Sequence, residues 1–123
     1  MSIYGHFASQ YYGNKINFPK ESFLISGISY YQQHLIGIDY DSEIIMKLEP
    51  ENKYDSQAIQ IIFNNNVIGY VPRHDEVKKI CIDNINSNLK IINIKRVSEN
   101  SNYGIRVIPN KYYTEKLKNI GIF

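Results

Sequence analysis

The stretch from Glu43 to Val71 constrains this chain most, because apolar and polar residues alternate through it with a period of two. That period belongs to a strand with one buried face. In Glu43 to Glu49, Ile44, Met46 and Leu48 share one face, and Ile45 and Lys47 the other. Pro50 ends the strand, since proline has no N–H to give to a ladder. Glu51 to Ser56 is rich in turn formers. Alternation resumes over Ala58 to Phe63, with Ile59, Ile61 and Phe63 on one face. Asn64-Asn65-Asn66 predicts a hairpin turn, because Asn tolerates positive φ. Val67 to Val71 is the return strand. Such a chain builds an antiparallel sheet rather than a helical bundle.

The flanks extend that sheet. Ser22 to Ile28 reads as a strand with Phe23 and Ile25 apolar, and Tyr30 to His34 as either a turn or a strand end. Gly37 to Asp41 reads as a loop. Pro72 stands where a helix would open. Val77, Ile80, Cys81 and Ile85 then follow at helical spacing, with Asp75 and Glu76 suited to the positive end of the dipole. The helix is expected over about residues 73–85. Leu89 to Val97 and Tyr103 to Ile108 form a further hairpin, and 111–119 a short terminal helix. The first 21 residues show no clear period beyond a turn at Tyr11 to Asn14. The expected fold is mainly β with one or two helices, a small antiparallel barrel that closes the edges an open sheet would expose. At 123 residues this is one domain. Its organisation reads as an N-terminal extension over 1–21, the barrel over 22–109 and a C-terminal segment over 110–123.

The net charge of +2 gives no case for nucleic acid from bulk charge alone. Cys81, the one cysteine, cannot form an internal disulfide and reads as a small buried residue. His6, His34 and His74 lack metal-ligand spacing, and His74 suits a surface or capping role. No apolar run reaches membrane-helix length, and the N-terminus lacks the regions of a signal peptide, so no membrane association and a cytoplasmic location are expected. The skew toward Ile, Asn, Lys and Tyr is that of AT-rich coding sequence, as in low-GC bacteria and their phages. GxSxG, HExxH, Walker A and CxxC are absent. Asp39 with Asp41, and Glu49 with Glu51 and Asp55, are carboxylates of a kind that hold Mg²⁺ in nucleases, but their spacing is not distinctive. No catalytic residue, metal site or cofactor is assigned.

The most specific stretch is Leu48-Glu49-Pro50-Glu51-Asn52-Lys53-Tyr54-Asp55-Ser56-Gln57-Ala58-Ile59, followed by Ile68-Gly69-Tyr70-Val71-Pro72-Arg73 and preceded by Gly27-Ile28-Ser29-Tyr30-Tyr31. In order and spacing, from about Phe23 to Asn84, this resembles the HIRAN domain family. The resemblance implies a modified OB-like barrel that binds DNA and, in the best-described member, captures the 3′ end of a single strand. Carried over residue by residue, it puts Tyr30 and Tyr31 on base-stacking aromatics and Asp55 on the carboxylate that meets the terminal 3′-hydroxyl. Tyr54 falls beside Asp55, Arg73 on a phosphate-binding basic residue, and Tyr103 on an aromatic of the last hairpin. Ser29 departs from the pattern, since a basic residue precedes the aromatic pair in that member.

The residues carry their own reading as well. Adjacent tyrosines on a strand would point to opposite faces, one packed and one free to meet a ligand. A tyrosine ring offers a stacking face to any base. Asp55 in a loop is ordinarily an Asx-turn former. As a ligand contact, its ionised carboxylate would accept from a hydroxyl and repel a phosphate, selecting a free 3′-OH. Arg73 near a helix start suits phosphate or, equally, solvent. Lys78, Lys79, Lys90, Lys95 and Arg96 would extend a basic track or form a solvated face. Three functions follow. The first is a non-catalytic module that captures a single-stranded DNA end, with catalysis left to a helicase or nuclease partner. The second is a protein that sequesters a small nucleotide signal in phage–host conflict, which the low charge and Ser29 favour. The third is a protein-interaction module that keeps only the barrel.

Overall fold

Asn64 and Asn65 adopt φ of 52° and 66°, which joins two strands through a two-residue turn of the type that matches strand twist. The surrounding architecture is that of a computed structural model, which describes residues 18–96, 98 and 101–119. The elements are β1 (Phe23–Leu24), a 3-10 helix (Ile28–His34), β2 (Ile44–Leu48), β3 (Ile59–Phe63), β4 (Asn66–Tyr70), α1 (Asp75–Asp83), β5 (Leu89–Lys95), β6 (Gly104–Pro109) and α2 (Asn110–Asn119). The expected turn at Tyr11 to Asn14, His6, most of the N-terminal extension and Val97 lie outside the described residues.

The strands form one six-stranded sheet in the order β1-β6-β5-β2-β3-β4, with every pairing antiparallel. Two irregularities curl it, one between Ile61 and Ile62 in the β3–β4 pairing and one between Ile91 and Asn93 in β5–β6. Beyond β1, Ser26 N–H donates to the Tyr70 carbonyl at 2.8 Å and Tyr70 N–H donates back at 2.9 Å. That bridge joins the first edge of the sheet to the last. The protein is mainly β, a small OB-like antiparallel barrel with helices packed around it.

The barrel interior holds Ile25, Ile44, Ile59, Ile61, Ile68, Leu89, Ile91, Ile105 and Val107. Cys81 projects from α1 into the same core with no exposure, and burial pushes its thiol up to about 12, which leaves it inert. On the opposite face of β5 and β6, Ile92 and Ile108 are buried together with Leu117 of α2.

Four expectations need correction. Ser22 to Ile28 is not a continuous strand: the ladder stops at Leu24, and Gly27, at φ 73°, turns the chain into the 3-10 helix. Of the two readings of Tyr30 to His34, the turn holds and the strand end does not, so Tyr30 and Tyr31 sit on a helical turn and not on opposite faces of a strand. Leu48 does not join Ile44 and Met46 in the core; it is exposed where β2 runs out into the Glu49–Pro50 turn. The α1 helix starts at Asp75 rather than near Arg73. His74 is its N-cap, the imidazole Nδ1 accepting from Val77 N–H at 3.4 Å.

Candidate nucleic-acid interface

The Glu49–Ala58 loop is organised by its own side chains. Asn52 Oδ1 accepts from Tyr54 N–H at 2.9 Å and from Asp55 N–H at 3.0 Å. Asp55 Oδ1 accepts from Gln57 N–H at 2.9 Å, the Asx-turn its position suggested. Glu49 N–H donates to the Ala58 carbonyl at 2.9 Å and closes the loop at its base. The loop thus presents Tyr54 outward, 84% exposed, while Asp55 is drawn in toward α1.

Asp55 meets two cations. Lys78 Nζ donates a hydrogen bond to Asp55 Oδ2, and Arg73 Nε lies 4.0 Å from the same oxygen. The Lys78 hydrogen bond, then that from Gln57 N–H, holds the Asp55 carboxyl below its ordinary 3.8. Arg73 stays largely in solvent, its side chain 68% exposed, whereas that of Lys78 is 12% exposed.

Beside this corner opens a cavity of about 520 Å³, a size that suits a small ligand. Ala58 and Val71 supply apolar lining, and Asn52, Tyr54, Asp55 and Arg73 supply polar groups. Ser26, Gly27 and Tyr70 complete it at the strand bridge that closes the barrel. Tyr70 is fixed there, its hydroxyl donating to Glu49 Oε2 at 2.8 Å, an oxygen that also accepts from Gln60 Nε2 at 3.0 Å. Burial, then the Glu49 hydrogen bond, pushes the Tyr70 phenol up to about 12, and the neighbouring Tyr31 acts in the same direction.

Of the residues singled out in the sequence, the fold gathers Tyr54, Asp55 and Arg73 around the one cavity. Tyr30, 81% exposed, stands next to it, its ring edge close to Gly27. Tyr31 is half-buried near Tyr70. Tyr103 lies apart. Its backbone N–H donates to Gln32 Oε1 at 2.8 Å, and its ring is covered by the Arg96 guanidinium at 4.6 Å. The basic track is divided: Lys78 and Lys79 line a recess along α1, but Lys90 lies over Tyr113 of α2. The carboxylates considered for metal are engaged otherwise, Asp39 with Asp41 N–H and Ser42, and Glu49 with Tyr70 and Gln60. Among the described residues no three of His, Cys, Asp and Glu gather as a metal would require.

Ser26, Gly27, Asn52 and Tyr70 line the cavity but were not singled out from the sequence. Three of them carried a signal, since Gly27, Asn52 and Tyr70 belong to the quoted motifs. Ser26 contributes through its backbone pairing, which no side-chain pattern announces.

A small curled barrel with an exposed tyrosine beside a loop-side cavity belongs to the OB-like class. The HIRAN domain model matches residues 22–91, more than half of the chain and all of the cavity, and the chain belongs to the HIRAN family. Neither the curated proteins nor the solved structures contain a match. HIRAN is a DNA-binding family, and membership supports nucleic-acid binding by this chain. Among the described residues no helix is long and apolar enough to cross a membrane.

Proposed function

We propose that the protein is a non-catalytic module that captures single-stranded DNA at a free 3′-OH end. The observation that carries this reading is the convergence of Tyr54, Asp55 and Arg73 on one cavity, with Tyr30 exposed beside it. Each offers what a strand end requires. The exposed rings of Tyr54 and Tyr30 stack on bases, at roughly 1–3 kcal/mol per base. Asp55, kept ionised, accepts from the terminal hydroxyl through lone pairs that Lys78 and Gln57 leave open. Arg73, mostly in solvent, meets the phosphate preceding the terminal nucleoside. Strand processing then falls to a helicase or nuclease partner.

A small nucleotide is the second reading. The net charge of +2 favours it, since a single nucleotide needs less neutralisation than a strand. One experiment separates the two. A linear oligonucleotide, a covalently closed circle of the same sequence and a free nucleoside monophosphate compete for the protein. Preference for the linear strand over the circle by about tenfold or more supports end capture. Equal binding of strand and circle removes it, and binding of the mononucleotide alone establishes the second reading.

A further inference from the structure

We propose that Gln32 is a positioning residue for base stacking, its side-chain amide fixing the turn that carries Tyr30 to the last hairpin of the barrel. This rests on reading Tyr30 as a stacking platform beside the cavity. The 3-10 helix that bears Tyr30 is anchored near its two ends, where Ile28 and Leu35 enter the core. Between them it is irregular. Tyr31, at φ −125° and ψ 21°, leaves helical geometry, and a 3-10 helix holds itself together poorly beyond a single turn. Tyr30 stands just before that kink with its ring in solvent.

Gln32 spans the kink. Its Nε2 donates to the Ile28 carbonyl at 2.9 Å, on the other side of Tyr30 and Tyr31, and its Oε1 accepts from Tyr103 N–H at 2.8 Å. Both halves of the amide are used, each by a backbone group that only that half can satisfy. Tyr103 immediately precedes β6, so the half-buried Gln32 ties the tyrosine turn both to itself and to the β5–β6 hairpin. Its neighbour Gln33 is exposed. A ring held in place before the ligand arrives loses less freedom on binding than one on a loose turn, and more of its stacking energy then appears as affinity. Gln32 does not line the cavity, and it acts on the ligand through Tyr30. Tyr103 enters the same chain of contacts through its backbone N–H, from outside the cavity.

The test is a double-mutant cycle, read by fluorescence polarisation with a 5′-labelled oligothymidylate of about ten nucleotides. Tyr30→Ala and Arg73→Ala are each made in the parent and in Gln32→Met. Tyr30→Ala should weaken the parent by about tenfold but Gln32→Met by only about threefold or less. Arg73→Ala should cost the same factor in both backgrounds, and Gln33→Met should keep the parent affinity. A merely structural Gln32 would lower the melting temperature and leave the Tyr30→Ala factor unchanged, and that result overturns the proposal. Gln32→Glu keeps the length and the acceptor but sets a carboxylate against the Ile28 carbonyl. It should shrink the Tyr30→Ala factor in the same way, and it carries the cycle if Gln32→Met does not fold. Should Tyr30→Ala cost nothing in the parent, the stacking reading itself has failed and this proposal falls with it. Should it cost about tenfold in both backgrounds, stacking stands and the role of Gln32 is refuted.

Discussion

Asn52 accepts two backbone hydrogen bonds with one side-chain oxygen, and so holds both Tyr54 and Asp55 in place. Asn52→Ala should cost about 1–2 kcal/mol of stability in urea denaturation. It should also weaken oligonucleotide binding by more than that loss explains, because the loop that presents Tyr54 loses its clamp. Unchanged affinity in a folded Asn52→Ala would mean that the loop shape does not matter to the ligand. The ionisation of Asp55 gives a second test at this scale. Its carboxyl is depressed below 3.8 in the folded protein, so the stability it contributes is present above that value and is lost as pH falls through the lower folded value. The stability difference between parent and Asp55→Asn should therefore be flat from neutral pH down to about 5 and shrink only below the unfolded carboxyl range. A difference that decays around neutral pH would contradict the Lys78–Asp55 pair. The letters of the loop motif were readable in the sequence, but the roles of Glu49 and Tyr70 were not. Glu49 meets Gln60 across a separation of 11 residues and Tyr70 across 21, and pairings at that range exist only once the strands have registered.

At the scale of elements, period and turn chemistry were legible wherever they were strong. The β2, β3 and β4 strands, the Asn turn, the β5–β6 hairpin and α2 all follow from them. The segment around Tyr30 resisted, since Gly27 ends the extended run and no apolar period marks the short helical turn after it. Gly69 shows the same dependence on tertiary structure. A Cβ there would collide with the Ile25 side chain and come within 2.6 Å of the Ser26 carbonyl oxygen, the acceptor of the bridge that closes the barrel. Gly69→Ala should destabilise the protein by roughly 1–3 kcal/mol or more. Amide exchange should report the loss first at Ser26 and Tyr70, whose hydrogen bonds span the closure. Full retention of their protection in the variant would show that the closure does not depend on that close approach.

For the whole molecule, a charge of +2 and a basic track split between two faces place the electrostatic contact near Arg73 rather than across a broad surface. Single-strand binding through two to four phosphates should give a slope of roughly −1.5 to −3 in log K against log salt. Arg73→Ala should flatten that slope by about 0.7, whereas Tyr54→Ala should cost affinity with little change in slope, because stacking releases no counterions. A parent slope near zero would argue against strand tracking. The central claim, that the strand end sits in the cavity beside Asp55, is tested most directly by titrating ¹⁵N-labelled protein with a short single strand and following the backbone amides. The largest shifts should fall on Ser26, Gly27, Asn52, Tyr54, Asp55 and Arg73; shifts confined to β5, β6 and α2, with those amides unmoved, would place the strand elsewhere.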